Sequence, residues 1–412
     1  MYDFANSGYT TVVITAIFNA YFVAEVAHNA PWATFVWTCA LAASYLAIVF
    51  TAPFVGAYAD AHAAKKKLLA VTTAGCVLFT AALALVGPGD LMLAIALIAL
   101  SNFFFGTGEN IVAAFLPEIA ADEAMGRVSG WGWALGYFGG LVSLSLCLAY
   151  VTWAQGHGFP ASHFVPVAML ITAALFALAS APTFLFLRER ARPGNTQALG
   201  RTVVSRLAET IRHAARYRDL RRFLVCVVFY QAGIQAVVAL AAIYAQQVMG
   251  FTTRDTIVLI LVVNVMAAAG AFVFGHVQDR FGHVPTLALT MIGWMAAVVL
   301  AWRAEGPALF WVAANVVGVC LGSSQSAGRA LVAYLSPPSR SAEFFGLWGL
   351  AVKFSAVLGP VTYGIVTWLS NGDHRLAILL TGTYFVIGLA IVARLDVSRG
   401  RTAALAVVPH AP

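Results

Sequence analysis

Twelve runs of about twenty mostly apolar residues, each closed by charged or turn-forming residues, follow one another along this chain. About twenty such residues are what one α-helix needs to cross a bilayer. The runs lie near Phe4 to Ala27, Trp32 to Tyr58, Leu68 to Val86, Leu91 to Leu116, Trp131 to Trp153, Phe164 to Leu187, Phe223 to Met249, Thr256 to Val277, Pro285 to Trp302, Ala308 to Leu335, Phe344 to Leu369 and Leu376 to Leu395. A 412-residue chain that is 61% hydrophobic and 10% charged, with mean hydropathy +0.84, has too little polar surface to stay in water at this size. The sequence therefore predicts an all-α, multi-pass membrane protein of twelve transmembrane helices. The first run opens almost at Met1, without a charged lead or a small-residue cleavage site, so it is expected to be a genuine span, with a native N-terminus longer than Met1.

The chain also repeats itself. Gly56-Ala57-Tyr58-Ala59-Asp60 returns 219 residues later (275 − 56) as Gly275-His276-Val277-Gln278-Asp279, and Phe115-Leu116-Pro117 leading to Gly130-Trp131-Gly132 is echoed by Tyr334-Leu335-Ser336-Pro337 leading to Leu347-Trp348-Gly349. One unit of about 200 residues used twice predicts two six-helix bundles related by a pseudo-two-fold axis. The expected division is 1–187 for the first bundle, 188–222 for a linker, 223–396 for the second bundle and 397–412 for a tail. Within the linker, Val204, Leu207 and Ile211 recur at helical spacing while arginines take the other faces, which predicts a basic amphipathic helix at the lipid headgroups.

The net charge of +7 is distributed as membrane orientation requires. If Lys65, Lys66 and Lys67 lie inside, the outer connections hold only Arg254, Arg303 and Arg375; every other basic residue except Arg329 and Lys353, which sit within runs, falls on inner connections, at inner run ends or in the tail. Both termini are thus expected on the cytoplasmic side of the cell's inner membrane. Stacking aromatics interleaved with a basic patch are absent, which excludes a nucleic-acid partner. The five cysteines sit inside apolar runs with no Cys-x-x-Cys spacing, and no phosphate-binding Gly-rich loop occurs, so neither a metal, a cofactor nor ATP-driven pumping is expected.

Ionisable and amide side chains inside a span are costly and tend to face the bundle interior. Asn315, Gly318, Gly322, Gln325 and Arg329 form one stripe on the tenth run, which is read as facing a cavity, with tight helix packing as the alternative. Asp3, Asn6 and Thr10 repeat the pattern on the first run, Asn102 and Glu109 on the fourth, and Gln231 and Gln235 on the seventh. Asn264, alone on the eighth, reads as a helix–helix hydrogen bond. Runs one, four, seven and ten are equivalent positions in three-helix repeats, and their polar stripes predict a central cavity that binds substrate. Asp3 and Glu109 set against Arg329 and Lys353 suit a zwitterion or an exchangeable proton; a structural ion pair of Glu109 with Arg329 or Lys353 is the alternative. In the duplicated loops, glycine permits backbone contact between helices, and the acid can cap a neighbouring helix N-terminus or pair with a loop cation. Gly56, Asp60, Gly275, Asp279 and Arg280 are therefore read as gating latches.

At these residues the chain resembles the major facilitator superfamily, whose inner loops carry Gly-x3-Asp-Arg-x-Gly; Gly275, Asp279, Arg280 and Gly282 match, whereas the first copy has Ala61 and Ala63 in place of the arginine and last glycine. Within it the chain is similar to the vacuole-effluxer-like branch, which joins bacterial permeases and the fungal autophagy-related vacuolar amino-acid effluxer. The likeness rests on Tyr2-Asp3-Phe4-Ala5-Asn6-Ser7, on Gly132 to Gly140, and on Ala342-Glu343-Phe344-Phe345-Gly346 continuing to Leu358-Gly359-Pro360. In the seventh run, where the branch often carries an Asn-Asp-Gly-like sequence, this chain has Gln231-Ala232-Gly233. The resemblance implies a secondary transporter working by alternating access, with an amino acid or short peptide as the favoured exported solute; the departure in the seventh run turns the coupling role to Glu109 and Asp3, with Glu109 read as the proton-coupling carboxylate. An exporter of drug-like apolar compounds and a non-transporting receptor on the same fold are the alternatives. No nucleophile–base or metal-ligand spacing supports an enzyme, and a monomer is expected.

Overall fold

The computed structural model describes residues 1–28, 30, 32–190, 217–251 and 253–406, and all regular structure among them is helical. Among the described residues twelve helices are long and apolar enough to span a membrane: α1 Tyr2–Val26, α2 Ala33–His62, α3 Lys65–Ala82, α4 Leu91–Ala113, α5 Met125–Gly156, α6 Ala161–Phe186, α7 Arg218–Gln247, α8 Thr253–Phe281, α9 His283–Arg303, α10 Pro307–Leu335, α11 Ser341–Leu369 and α12 His374–Val392. A short helix, α13 Val397–Leu405, follows them. Each meets its predicted run, but α5 and α7 begin several residues early. Their polar first turns continue the helix beyond the apolar core that marks it in sequence. The expected basic helix carrying Val204, Leu207 and Ile211 lies outside the described residues.

Two turns of α1 are wider than α-helix: Thr10–Ala16 and Phe22–Val26 are π-helical. The first falls on a run of β-branched residues, whose restricted side chains crowd a regular helix. The Thr15 side chain follows the same spacing, its Oγ1 donating to Thr10 O, five residues back, at 3.0 Å.

The chain forms two compact units. The first comprises Met1–Phe115 and the chain from Leu135 to the end of α6; the second comprises Leu116–Ala134 and the chain from α7 onward. In the first, α3 packs on α4 and α6, α2 on α4, and α1 on α6. Its core stacks Tyr9 on Phe105 at 4.6 Å and gathers Phe18 and Phe22 against Trp37. Glu189, just beyond α6, caps α3: its carboxylate accepts from Lys65 N at 2.7 Å and Lys66 N at 3.1 Å, while Lys66 Nζ donates to Leu187 O.

In the second unit α8 packs on α10, α7 on α11 and α12, and α9 on α10 and α12. Lipid offers no hydrophobic drive between helices, so close backbone approach through small residues holds them. A Cβ on Gly318 would strike Val263 O and Met266, one on Gly322 the Ala267 carbonyl, and one on Gly270 the Val319 carbonyl. For Gly318 and Gly322 the structure shows the alternative given for the α10 stripe, tight packing, here a seam against α8. Asn264, by contrast, donates to Ile260 O of its own helix at 2.8 Å instead of bonding a neighbour.

Gly322→Val is expected to lower stability by about 1–3 kcal/mol through overpacking against α8, while Gly364→Ala, where an added Cβ meets nothing within 4 Å, leaves the melting temperature in detergent unchanged. Equal melting of the two variants would contradict the seam.

Candidate functional site

In the first unit a side-chain hydrogen bond joins α1 to α4. Tyr9 supplies it: its hydroxyl shares a 2.8 Å hydrogen bond with Ser101 Oγ. Asn6, three residues before Tyr9, is buried and its Oδ1 finds no donor. Asn102, beside Ser101, is fully buried; its Nδ2 donates to Ser44 Oγ of α2, and its Oδ1 has no donor. Farther along α4, Asn110 Nδ2 is buried without an acceptor. Asp3 and Glu109 are half-buried on the same two helices, and Asp3 lies with its backbone and Cβ against Gly136 of α5. Thr10 donates to Asn6 O at 3.3 Å.

In the second unit Gln231 of α7 and Gln325 of α10 meet: Gln231 Nε2 donates to Gln325 Oε1 at 2.7 Å. Gln231 is fully buried and its own Oε1 has no donor. Burying an amide oxygen unpaired is unfavourable by about 1–3 kcal/mol, so these three oxygens are places where a ligand's N–H or a water is worth most. Gln235 and Lys353 are half-buried on α7 and α11. Asn315 turns back on its own helix, donating to Trp311 O at 2.7 Å.

Arg329 does not stand as a bare charge. It is 7% exposed, donates from Nε to Ser129 Oγ at 3.1 Å and from Nη2 to Ser129 O at 2.8 Å, and lies 5.4 Å from the Trp133 ring centroid. Ser129 Oγ in turn donates to Ser326 O at 2.8 Å. Arg329 thus grips the first turns of α5.

Those turns are held again by the second glycine–acid loop. Asp279 accepts from Gly126 N at 2.8 Å and from Arg127 N at 3.0 Å, two of the N–H groups that a helix start leaves unsatisfied. The cap reaches because the backbones touch. A Cβ on Gly275 would lie 2.8 Å from Gly126 O and 3.1 Å from Gly130 Cα, and one on Gly130 would meet Ala271 O. Next to Asp279, Gln278 is buried and donates to Ala327 O at 3.1 Å. Arg280 stays exposed, stacked on Phe281. In the first copy, Gly56 is buried, and Asp60 lies 3.4 Å from Lys65 Nζ, both side chains buried. An acid–cation pair at this depth is held by proximity, because solvent does not screen it.

Sequence reasoning missed Ser129, Trp133 and Gln278 as parts of this contact. The one available signal was Gly126-Arg127 just after the acidic Asp122-Glu123, a composition typical of a helix start.

Comparison with known proteins places this geometry in context. The family described as "Vacuole effluxer Atg22 like" matches residues 32–405. A Bacillus subtilis protein named "Uncharacterized MFS-type transporter YxiO" is 27% identical over 398 residues, 95% of this chain and 92% of that protein. "Autophagy-related protein 22" of Cryptococcus neoformans is 25% identical over 303 residues, 68% of this chain; the chain matches 54% of that protein's length. Among solved structures, the human organic anion transporter MFSD10 superposes with a TM-score of 0.74 at 12% identity, covering 95% of this chain and 97% of that one, a likeness of fold.

Loss of the Arg329 fork is expected to outweigh loss of one hydroxyl. Ser129→Ala, which keeps the carbonyl acceptor, should lower stability by about 1 kcal/mol, and Arg329→Lys by more, because an ammonium does not reproduce the two-pronged contact. Thermal scans that rank Arg329→Lys above Ser129→Ala would refute this geometry.

Proposed function

Because the chain belongs to the Atg22-like vacuole effluxer family and is a transporter of the major facilitator type, we propose that it exports an amino acid or short peptide by alternating access. The observation that carries the reading is that three buried amide oxygens on α1, α4 and α7, Asn6 Oδ1, Asn102 Oδ1 and Gln231 Oε1, lack donors among the described residues; a fourth, Gln278 Oε1, lies at the α8–α10 contact. Acceptors of this kind favour a solute rich in N–H groups, as an α-ammonium or a peptide amide is, over an apolar drug-like molecule that would leave them unsatisfied. The family name, a vacuole effluxer, supports export as the direction of movement.

Lys353 supplies the matching cation for a carboxylate, with Arg329 contributing field while it holds α5. Glu109 on α4, with Asp3 on α1, is the proton-coupling carboxylate: a half-buried acid that exchanges its proton as access alternates ties solute movement to a pH gradient. The duplicated loops are latches of one state, with Asp279 on the α5 N-terminus and Asp60 on Lys65. The distribution of Lys and Arg supports a bacterial inner-membrane location with both termini in the cytoplasm, and the chain works as a monomer.

Purified protein in proteoliposomes loaded with a defined mixture of amino acids and dipeptides is expected to release at least one of them, measured by mass spectrometry of the external medium. Gln231→Ala should cut that flux about tenfold or more, as loss of a buried polar contact does. Glu109→Gln should leave exchange intact while abolishing stimulation by an imposed pH gradient. Movement of a cationic dye with no amino acid or peptide moved would overturn the proposal; gradient-driven flux unchanged in Glu109→Gln would overturn the coupling.

A further inference from the structure

The tail helix makes two different ionic attachments. It opens at Asp396, whose side chain accepts from Arg399 N at 2.9 Å. Arg399 forks onto Asp219 at the start of α7, Nε to Oδ2 at 2.8 Å and Nη2 to Oδ1 at 2.7 Å, with the arginine itself about half exposed. A Cβ on Gly400 would strike Leu335 Cδ2 and lie 3.2 Å from Asp219 Cβ, so a larger residue would not fit there. Arg401 points the other way. Its Nε donates to Asp122 Oδ2 at 2.8 Å, its Nη2 bonds the other oxygen of that carboxylate, its Nη1 donates to Tyr334 O at 2.9 Å, and its guanidinium lies 4.8 Å from the Tyr334 ring centroid.

Arg401 is only 13% exposed. A forked, shielded guanidinium with a stacked ring is a strong contact, whereas Arg399, forked onto a buried Asp219, is itself about half exposed to solvent. Its partner Asp122 stands four residues before Gly126, the first amide capped by Asp279. One short segment is therefore held from two sides, by α8 through Asp279 and by α13 through Arg401. Each anchor orders the chain that the other must find, so the two are expected to cooperate.

We propose that α13 is a second clasp on the entry to α5: Arg401, seated between Asp122 and Tyr334, fixes the Leu116–Ala134 segment and sets how readily that segment lets go of α8. The contact is within the second unit and stands independently of which solute is carried. Because α5 continues unbroken from this segment into the first unit, a tail-set release here bears on any movement the transporter makes.

Hydrogen–deuterium exchange on the full-length protein in detergent tests this directly. Arg401→Gln is expected to speed exchange of the Gly126–Ser129 amides by about fivefold or more, as the opening of a locally held segment does. Asp279→Asn should do the same, and the double variant should fall short of the product of the two single effects. Asp122→Asn should reproduce Arg401→Gln from the other side of the pair, which covers the case in which one variant does not fold. Faster exchange confined to residues 397–405, or single effects that multiply in the double variant, would show that α13 is tethered to the unit without controlling the segment and would overturn the proposal.

Discussion

Two backbone amides at the start of α5 and the carboxylate of Asp279 are the contact on which this end of the second unit depends. A helix leaves its first N–H groups without partners. Most helices answer that need with a side chain from their own N-cap; α5 takes the answer from α8. The carboxylate gets there because Gly275 and Gly130 have no side chains, so that the two backbones meet. Once that approach is set, Gln278 is placed to bond Ala327 O and Arg329 to fork onto Ser129, and two helices, α8 and α10, converge on a few residues of a third.

The duplication in the sequence and the division into compact units do not coincide at α5. By repeat, its first turns belong with the first half; by contact, Leu116–Ala134 belongs with the second. The two glycine–acid loops are equivalent in pattern yet differ in chemistry among the contacts described here. Asp279 answers backbone donors, whereas Asp60 sits beside a buried ammonium. The first copy lacks the arginine and the second glycine of the fuller motif, and its acid has a lysine five residues on.

The twelve spans were legible because apolar length is a property of each run by itself. So was the family likeness, which rests on short segments in both halves. What was not legible needed distance. Asp279 and Gly126 are 153 residues apart, and nothing local marks the second as the partner of the first. The polar start of α5 read as a loop because its stabilisation comes from α8, α10 and α13 and not from its own propensity. On α10, small residues serve packing and cavity equally well, so Gly318 and Gly322 were read with Gln325 when their seam is with α8. Arg401 looked like one more positive charge in a tail; only the fold shows it fitted between a carboxylate and a tyrosine.

The π-helical turns of α1 change how that helix can be counted. Each widened turn takes in one residue more than an α-turn, which rotates everything after it by about 100° relative to a uniform helix. Asp3, Asn6 and Thr10 precede or open the first such turn, so their shared stripe survives; any stripe extended past Ala16 points somewhere else. A relative with a regular first helix would reach the same far end with fewer residues, and an ungapped alignment through Thr10–Ala16 would pair side chains that occupy different sides of the helix.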